Sequence, residues 1–267
     1  MLWVAGMFVL GLMAGSVLNC VIWRLPVMMA RQAATAEGLP VQDGFPPRFN
    51  LFLPRSCCPQ CRHTIAFYDN IPLLSWLWLR GRCRHCGGSI GWRYPLTELM
   101  SALCTAWIAL GWPPGLDALM LALCCWLLIA LLSIDLEHML LPDVLTLSLL
   151  WLGLLANLHG AFVPLQDAVL GAVAGWLTLW GVYQAFLLLT GREGLGYGDF
   201  KLLAALGAWC GWQQLPLLLL LASLLGIVLM LALRLSGRIA RGEAFAFGPC
   251  LALAGWWVIT EPAAVWF

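Results

Sequence analysis

The chain has 267 residues, 62% of them hydrophobic and 10% charged, with a mean hydropathy of +0.89 and a formal net charge of +1. That apolar share exceeds what a water-soluble domain carries, so the lipid bilayer is the expected solvent. A chain this close to neutrality and this rich in Leu, Ala and Trp cannot build the basic face that nucleic-acid recognition requires, which sets nucleic acid aside as a partner.

The first apolar run, Met1 to Trp23, is too long for the core of a signal peptide, lacks a basic lead-in and is not followed by a small-x-small cleavage site. It is expected to be a retained transmembrane helix. Further apolar runs at about Leu96 to Trp112, Leu116 to Ile134, Val144 to Leu158, Ala168 to Thr190, Leu202 to Trp212, Leu215 to Leu233 and Phe247 to Ile259 bring the candidates to eight. Most reach the ~17–25 residues that cross ~30 Å of hydrocarbon. The runs beginning at Val144, Leu202 and Phe247 are short, so they must borrow flanking residues or lie among protein and not lipid. The expected fold class is an all-α polytopic membrane protein of about eight transmembrane helices.

Charge then orients the chain, because Lys and Arg stay on the cytoplasmic side of short loops. If the first helix runs inward, the inner loops are Arg24 to Pro95, Asp135 to Asp143, Gly191 to Lys201 and Arg234 to Ala246, and all 14 basic residues fall in them. The segments Trp112 to Asp117, Asn157 to Asp167 and Gln213 to Gln214, with the C-terminal tail, hold none. Both termini are therefore expected on the outer side of the membrane. Three segments follow: 1–23, the first helix; 24–95, a polar cytosolic insert; and 96–267, a transmembrane core. Within the insert, Ala30 to Asn50 mixes Gly, Pro, Ala and charge without periodicity and is expected to be irregular or mobile.

The insert carries Cys58-Pro-Gln-Cys61 and Cys83-Arg-His-Cys86, two C-x2-C knuckles separated by 21 residues. That is the pattern of a tetrahedral four-cysteine zinc site, each knuckle turning two thiolates onto one ion. Arg55, Arg62, Arg82 and Arg84 nearby would favour the thiolates. A cytosolic, reducing compartment argues against structural disulfides, and a thioredoxin-like redox pair lacks its βαβ context. With four protein ligands the zinc would be structural. Cys57 adjoins the first knuckle and could stand in for Cys58, and His63 or His85 could replace a ligand, although solvated loop positions suit both histidines. Cys20, Cys104, Cys124, Cys125, Cys210 and Cys250 lie in apolar runs and read as small buried hydrophobes.

Two carboxylates stand out, because an acid beside a transmembrane helix is costly to bury and so raises a functional hypothesis. Asp135 ends the third helix, and Asp199 opens the sixth within Gly194-Leu-Gly196-Tyr-Gly198-Asp199. The topology puts both on the cytosolic side. The glycines free the backbone from helical dihedrals and let a second chain come close. Two carboxylates in one site share a single proton, so one can activate water while the other polarises a peptide carbonyl. The structural alternative has Asp199 capping its helix and Asp135 meeting water at a helix end. Asp143, after Pro142, suits an N-cap, Glu137 and His138 suit the interface, and Glu98 suits pairing with Arg93 or another loop arginine.

These motifs resemble those of the bacterial prepilin peptidases, or type 4 prepilin-like protein leader peptidases, of the GxGD aspartyl protease group. The likeness runs from Gly15-Ser16-Val-Leu-Asn19 and Trp23-Arg24-Leu-Pro26 through both knuckles, Asp69-Asn-Ile-Pro72 and Leu79-Arg-Gly-Arg-Cys83. It continues in Arg93-Tyr-Pro-Leu-Thr-Glu98, Ile134-Asp135, Leu141-Pro-Asp143, Gly196-Tyr-Gly-Asp199-Phe-Lys201 and Phe247-Gly-Pro249. The resemblance implies catalysis by Asp135 and Asp199 and metal ligation by Cys58, Cys61, Cys83 and Cys86. It also implies a bacterial inner-membrane enzyme that cuts the basic leader of type IV prepilins or type II secretion pseudopilins after a glycine. Methylation of the new amino-terminal residue, usually Phe, from S-adenosylmethionine would follow in the cytosolic insert, with no residues assigned to that donor. An ion- or proton-coupled transporter, or a zinc-stabilised secretion scaffold without catalysis, is the alternative.

Overall fold

The computed structural model describes residues 1–40, 44–58, 60–192, 194–237 and 245–260. Most of the inner loop expected over Arg234 to Ala246, and the tail from 261 onward, lie outside the described residues. No β-strand forms among them, only two isolated bridges, Cys57 with Thr64 and Arg82 with Ser89. Among the described residues nine α-helices carry the fold: α1 (Leu2–Ala36), α2 (Leu74–Trp78), α3 (Arg93–Gly111), α4 (Leu116–His138), α5 (Asp143–Ala156), α6 (Leu165–Thr190), α7 (Tyr197–Cys210), α8 (Leu215–Leu235) and α9 (Gly248–Thr260). Every apolar run of the sequence lies on one of them, and α2 is a short addition inside the polar insert. Among the described residues four stretches are long and apolar enough to cross a membrane: α1, α4, α6, and Trp212–Leu235 containing α8.

Contacts divide the chain into two compact units, Met1–Pro114 and Gly115–Phe267. The first differs from the expected segments in two ways. α1 does not stop near Trp23 but runs to Ala36 with Pro26 inside it, so the first part of the stretch expected to be irregular is helical. Residues 44–50 are irregular but tied down: the rings of Phe45 and Phe49 pack on Trp23, and Arg31 lies 4.9 Å from the Phe49 ring centre. Helix α3, expected in the C-terminal core, packs instead along α1. Small residues permit this close crossing: a Cβ at Gly11 would lie 2.6 Å from the Ala102 Cα, and one at Gly15 2.5 Å from the Glu98 Cα. Ser101 Oγ donates to the Gly11 carbonyl at 2.7 Å, satisfying a polar group that has no water to turn to.

The second unit is built around α7. Phe200, Leu202, Leu203, Leu206 and Trp209 are fully buried, so this 14-residue helix lies among protein, as its length requires. Its neighbours each offer it a glycine: Gly153 of α5 faces the Trp209 ring, Gly175 of α6 the Leu203 carbonyl, and Gly255 of α9 the Leu206 side chain. Hydrogen bonds fix the end away from Asp199, where Trp209 Nε1 donates to the Leu149 carbonyl at 2.9 Å and Asn157 Nδ2 to the Ala208 carbonyl at 2.9 Å. α7 is thereby held in register, and its first turn is presented at the opposite end of the unit.

Candidate active site and thiol cluster

Asp135 stands in the last turn of α4 and is only 5% exposed, so it does not meet water at a helix end. The helix stops just beyond it because Met139 adopts a left-handed conformation and its N–H closes on the Asp135 carbonyl at 2.9 Å. The backbone of Gly248, at the start of α9, faces the Asp135 carboxylate. An anion at a helix N-terminus also meets the positive end of the helix dipole. A Cβ at Gly248 would lie 2.5 Å from Asp135 Oδ2, so only glycine lets that turn reach the carboxylate.

Asp199 lies in the first turn of α7 and is 8% exposed. It is not the N-cap; that position is Gly196, whose backbone lies beside the Asp199 carboxylate and whose carbonyl accepts the Asp199 N–H at 3.1 Å. Leu141 joins the two acids' surroundings. A Cβ at Gly198 would lie 2.7 Å from Leu141 Cβ, and one at Gly248 3.3 Å from Leu141 Cδ1. Asp135 and Asp199 sit within each other's electrostatic field, and Cys250 of α9 feels both. Rings of Tyr183, Tyr197 and Phe200, with centres 5.4–5.6 Å apart, pack together between α6 and the first turn of α7.

The glycines act differently from the sequence expectation. None of Gly194, Gly196 and Gly198 has a positive φ, so they are not there for unusual dihedrals. Gly194 admits the Phe186 ring and Gly198 admits Leu141, while Gly196 keeps open space beside Asp199. Asp143 also departs from expectation. It is the first helical residue of α5, with Pro142 as the cap, and its exposed carboxylate bonds Lys201 Nζ at 2.6 Å. Glu137 and His138 are exposed on the last turn of α4. Sequence reasoning gave no role to Gly248 or Leu141, although the Phe247-Gly-Pro249 signature contains one and Leu141-Pro-Asp143 the other.

Gly248→Ala keeps an unstrained backbone, because Gly248 is outside the left-handed region, yet its methyl collides with the Asp135 carboxylate. Any activity that depends on Asp135 is expected to fall on the order of 10²-fold, the scale of a misplacement of about 1 Å. An unchanged far-ultraviolet circular dichroism spectrum would show that the fold persists.

In the first unit the two knuckles repeat one local structure. Cys58 N–H bonds the His63 carbonyl and Arg62 N–H the Cys58 carbonyl, each at 2.9 Å; Cys83 N–H bonds the Gly88 carbonyl at 2.8 Å and Gly87 N–H the Cys83 carbonyl at 2.9 Å. A left-handed residue, Arg62 or Gly87, follows the second cysteine of each. The sulfur atoms of Cys58, Cys61, Cys83 and Cys86 all lie within 4.8 Å of one another, with Cys58 and Cys86 at 3.9 Å. Four thiolates about 2.3 Å from a tetrahedral zinc would be about 3.8 Å apart, so the set can hold a metal ion of that kind.

Cys57 is outside this group and takes part in the bridge to Thr64. His63 and His85 are outside it too, their rings 4.1 Å apart. The N–H groups of Cys86 and then His85 bring the Cys83 thiol down to about 6. Among the nearby arginines, Arg84 is committed to Asp69, with Nη2 to Oδ1 at 2.7 Å, and Arg62 to the Gly44 carbonyl at 2.9 Å. Backbone donors therefore do at Cys83 what the arginines were expected to do. Glu98 likewise departs from the expected arginine pairing: it is buried, accepts the Leu73 N–H at 2.8 Å, and has Ser16 and Asn19 near it.

Two family models match the chain. The bacterial peptidase A24 N-terminal domain covers residues 9–112, and the type IV leader peptidase family covers residues 121–231, so each falls within one compact unit. Relatives include the prepilin leader peptidase/N-methyltransferase of Aeromonas hydrophila, 56% identical over 253 residues, covering 93% of this chain and 87% of that protein. The proteins of the same name from Dickeya chrysanthemi and Pseudomonas aeruginosa are 53% and 51% identical, covering 95% and 92% of this chain and 90% and 86% of their own lengths. No solved structure matches. With both domain models in order and relatives above half identity along nearly its whole length, the chain belongs to the type IV leader peptidase family.

Proposed function

We propose that the chain is an inner-membrane aspartyl endopeptidase and N-methyltransferase. It cuts the leader of type IV prepilins or type II secretion pseudopilins after glycine at the cytosolic membrane face, then methylates the exposed amino terminus from S-adenosylmethionine. The observation that carries this reading is two buried carboxylates, Asp135 and Asp199, in each other's electrostatic field, with open space at Gly196 beside the second. The charge pattern supports a cytosolic site, large insert included, with both termini periplasmic.

A shared proton gives the two acids different tasks. The ionised carboxylate takes a proton from water as its oxygen attacks the scissile carbonyl carbon, while the protonated one hydrogen-bonds the carbonyl oxygen. Collapse of the tetrahedral intermediate breaks the C–N bond, and the departing amine takes up a proton from the pair. The backbone of Gly248 stays beside the Asp135 carboxylate and that of Gly196 beside the Asp199 carboxylate through these steps. Cys58, Cys61, Cys83 and Cys86 would together hold a structural zinc, which would brace the insert and take no part in the hydrolysis. When bound, S-adenosylmethionine supplies the methyl group.

The test is cleavage of a pseudopilin precursor by the purified, detergent-solubilised chain alone. Release of the leader at the glycine is expected. No cleavage, with the protein folded and zinc-loaded, would contradict the peptidase reading and leave the transporter and scaffold alternatives standing.

A further inference from the structure

A cavity of about 380 Å³ lies within the first unit, lined by α1, the start of α3 and the insert. That volume is within the ~300–1,000 Å³ of pockets that take cofactor-sized molecules. Two buried charges of opposite sign line it. Glu98 is 9% exposed and accepts the Leu73 N–H, with the neutral side chains of Ser16 and Asn19 near it. Arg24 is 4% exposed and, among the described residues, donates only to backbone, to the Asn50 carbonyl at 2.8 Å and the Pro54 carbonyl at 2.6 Å. Asn19, 5% exposed, gives its Nδ2 to the Tyr94 carbonyl, while its Oδ1 has no hydrogen-bond partner among the described residues. The rings of Trp23, Tyr68 and Trp76 complete the lining.

A buried charge without a counter-charge and a buried acceptor without a donor are both costly, so such a site is built for what fills it. The complementary ligand carries a cation for Glu98, a carboxylate for Arg24, a donor for Asn19 Oδ1 and a flat base for the aromatic walls. S-adenosylmethionine has a sulfonium and an ammonium, an α-carboxylate and an adenine. We propose that this cavity is the methyl-donor pocket, with Glu98 as counter-charge to the cationic end of the donor; the assignment rests on the methyltransferase reading above. Cys58 and Cys83 also line this cavity, so a metal on those thiols would set its shape.

Binding to the zinc-loaded full chain in detergent, with cleaved pilin present, is measured by calorimetry using S-adenosylmethionine and the neutral, amino-acid-free 5′-methylthioadenosine. Glu98→Gln is expected to weaken S-adenosylmethionine by at least about 10-fold, as loss of one partner of a buried charge pair does, and to change methylthioadenosine much less. Photolabelling of the unmodified protein with methyl-labelled S-adenosylmethionine, which needs no variant to fold, is expected to mark peptides within 16–24 or 68–98. Equal donor affinity in a folded Glu98→Gln protein, or label confined to residues beyond 114, would overturn the pocket and leave the methyltransferase reading intact. No donor binding by the unmodified chain would overturn both.

Discussion

Asp135→Asn and Asp199→Asn are each expected to reduce cleavage of a pseudopilin precursor by about 10²–10⁴-fold, the range that a positioned general acid or base contributes. The substitutions keep shape and remove the carboxylate, so zinc content and melting temperature stay close to those of the unmodified protein. Methylation of a pilin supplied already cut is expected to persist, because the thiol cluster and the proposed methyl-donor cavity both lie within Met1–Pro114. Asp143→Asn supplies the contrast. It removes the 2.6 Å bond to Lys201, but both partners are substantially exposed, and such pairs are worth ~0–1 kcal/mol. Cleavage by that variant is expected to remain within a few-fold of normal. Precursor processing measured by gel shift, with intact mass of the product, separates the three variants.

Much of this arrangement was legible in the residues, and the parts that were not share a cause. Apolar runs became helices because in lipid the backbone must satisfy its own hydrogen bonds, and length and composition alone carry that signal. The knuckles were legible because their ligand spacing is local. Spacing alone left Cys57 open, and the bridge from Cys57 to Thr64 distinguishes it from Cys58. Gly248 stayed hidden because its role is steric and long-range: it follows Asp135 by more than a hundred residues, and only folding brings its backbone to that carboxylate. Glu98 was misjudged for a related reason. Sequence offers nearby arginines as partners, whereas packing of α1 on α3 supplies Ser16 and Asn19. The end of α1 was set too early because the polar residues after Trp23 read as loop, yet the carbonyls of Asn50 and Pro54 satisfy Arg24 on the helix surface.

Loss of the metal is the second large effect. Structural zinc contributes about 10–16 kcal/mol of apparent binding free energy in zinc-finger peptides, which is folding energy for a segment with little core of its own. The insert fits that description, with one short helix, α2, and few buried side chains between residues 44 and 92. Cys61→Ser or Cys86→Ser is expected to lower zinc from about one ion per chain to near none, the stoichiometry of a four-thiolate site. Limited proteolysis should then cut within the insert, and donor binding should be lost with the cavity that the knuckles help to line. Cys57→Ser should keep its metal. Elemental analysis of the three proteins decides the matter: a Cys57→Ser protein without zinc, or a Cys86→Ser protein that retains it, would contradict the ligand set.

The central claim is that Asp135 and Asp199 act as one unit on one proton, and the cleavage rate of the Asp135→Asn, Asp199→Asn double variant tests it most directly. Residues acting as a unit are strongly non-additive. The double variant is expected to cleave precursor no more slowly than the slower single variant. Losses that multiply, or either single variant cutting at the normal rate, would contradict a shared catalytic pair.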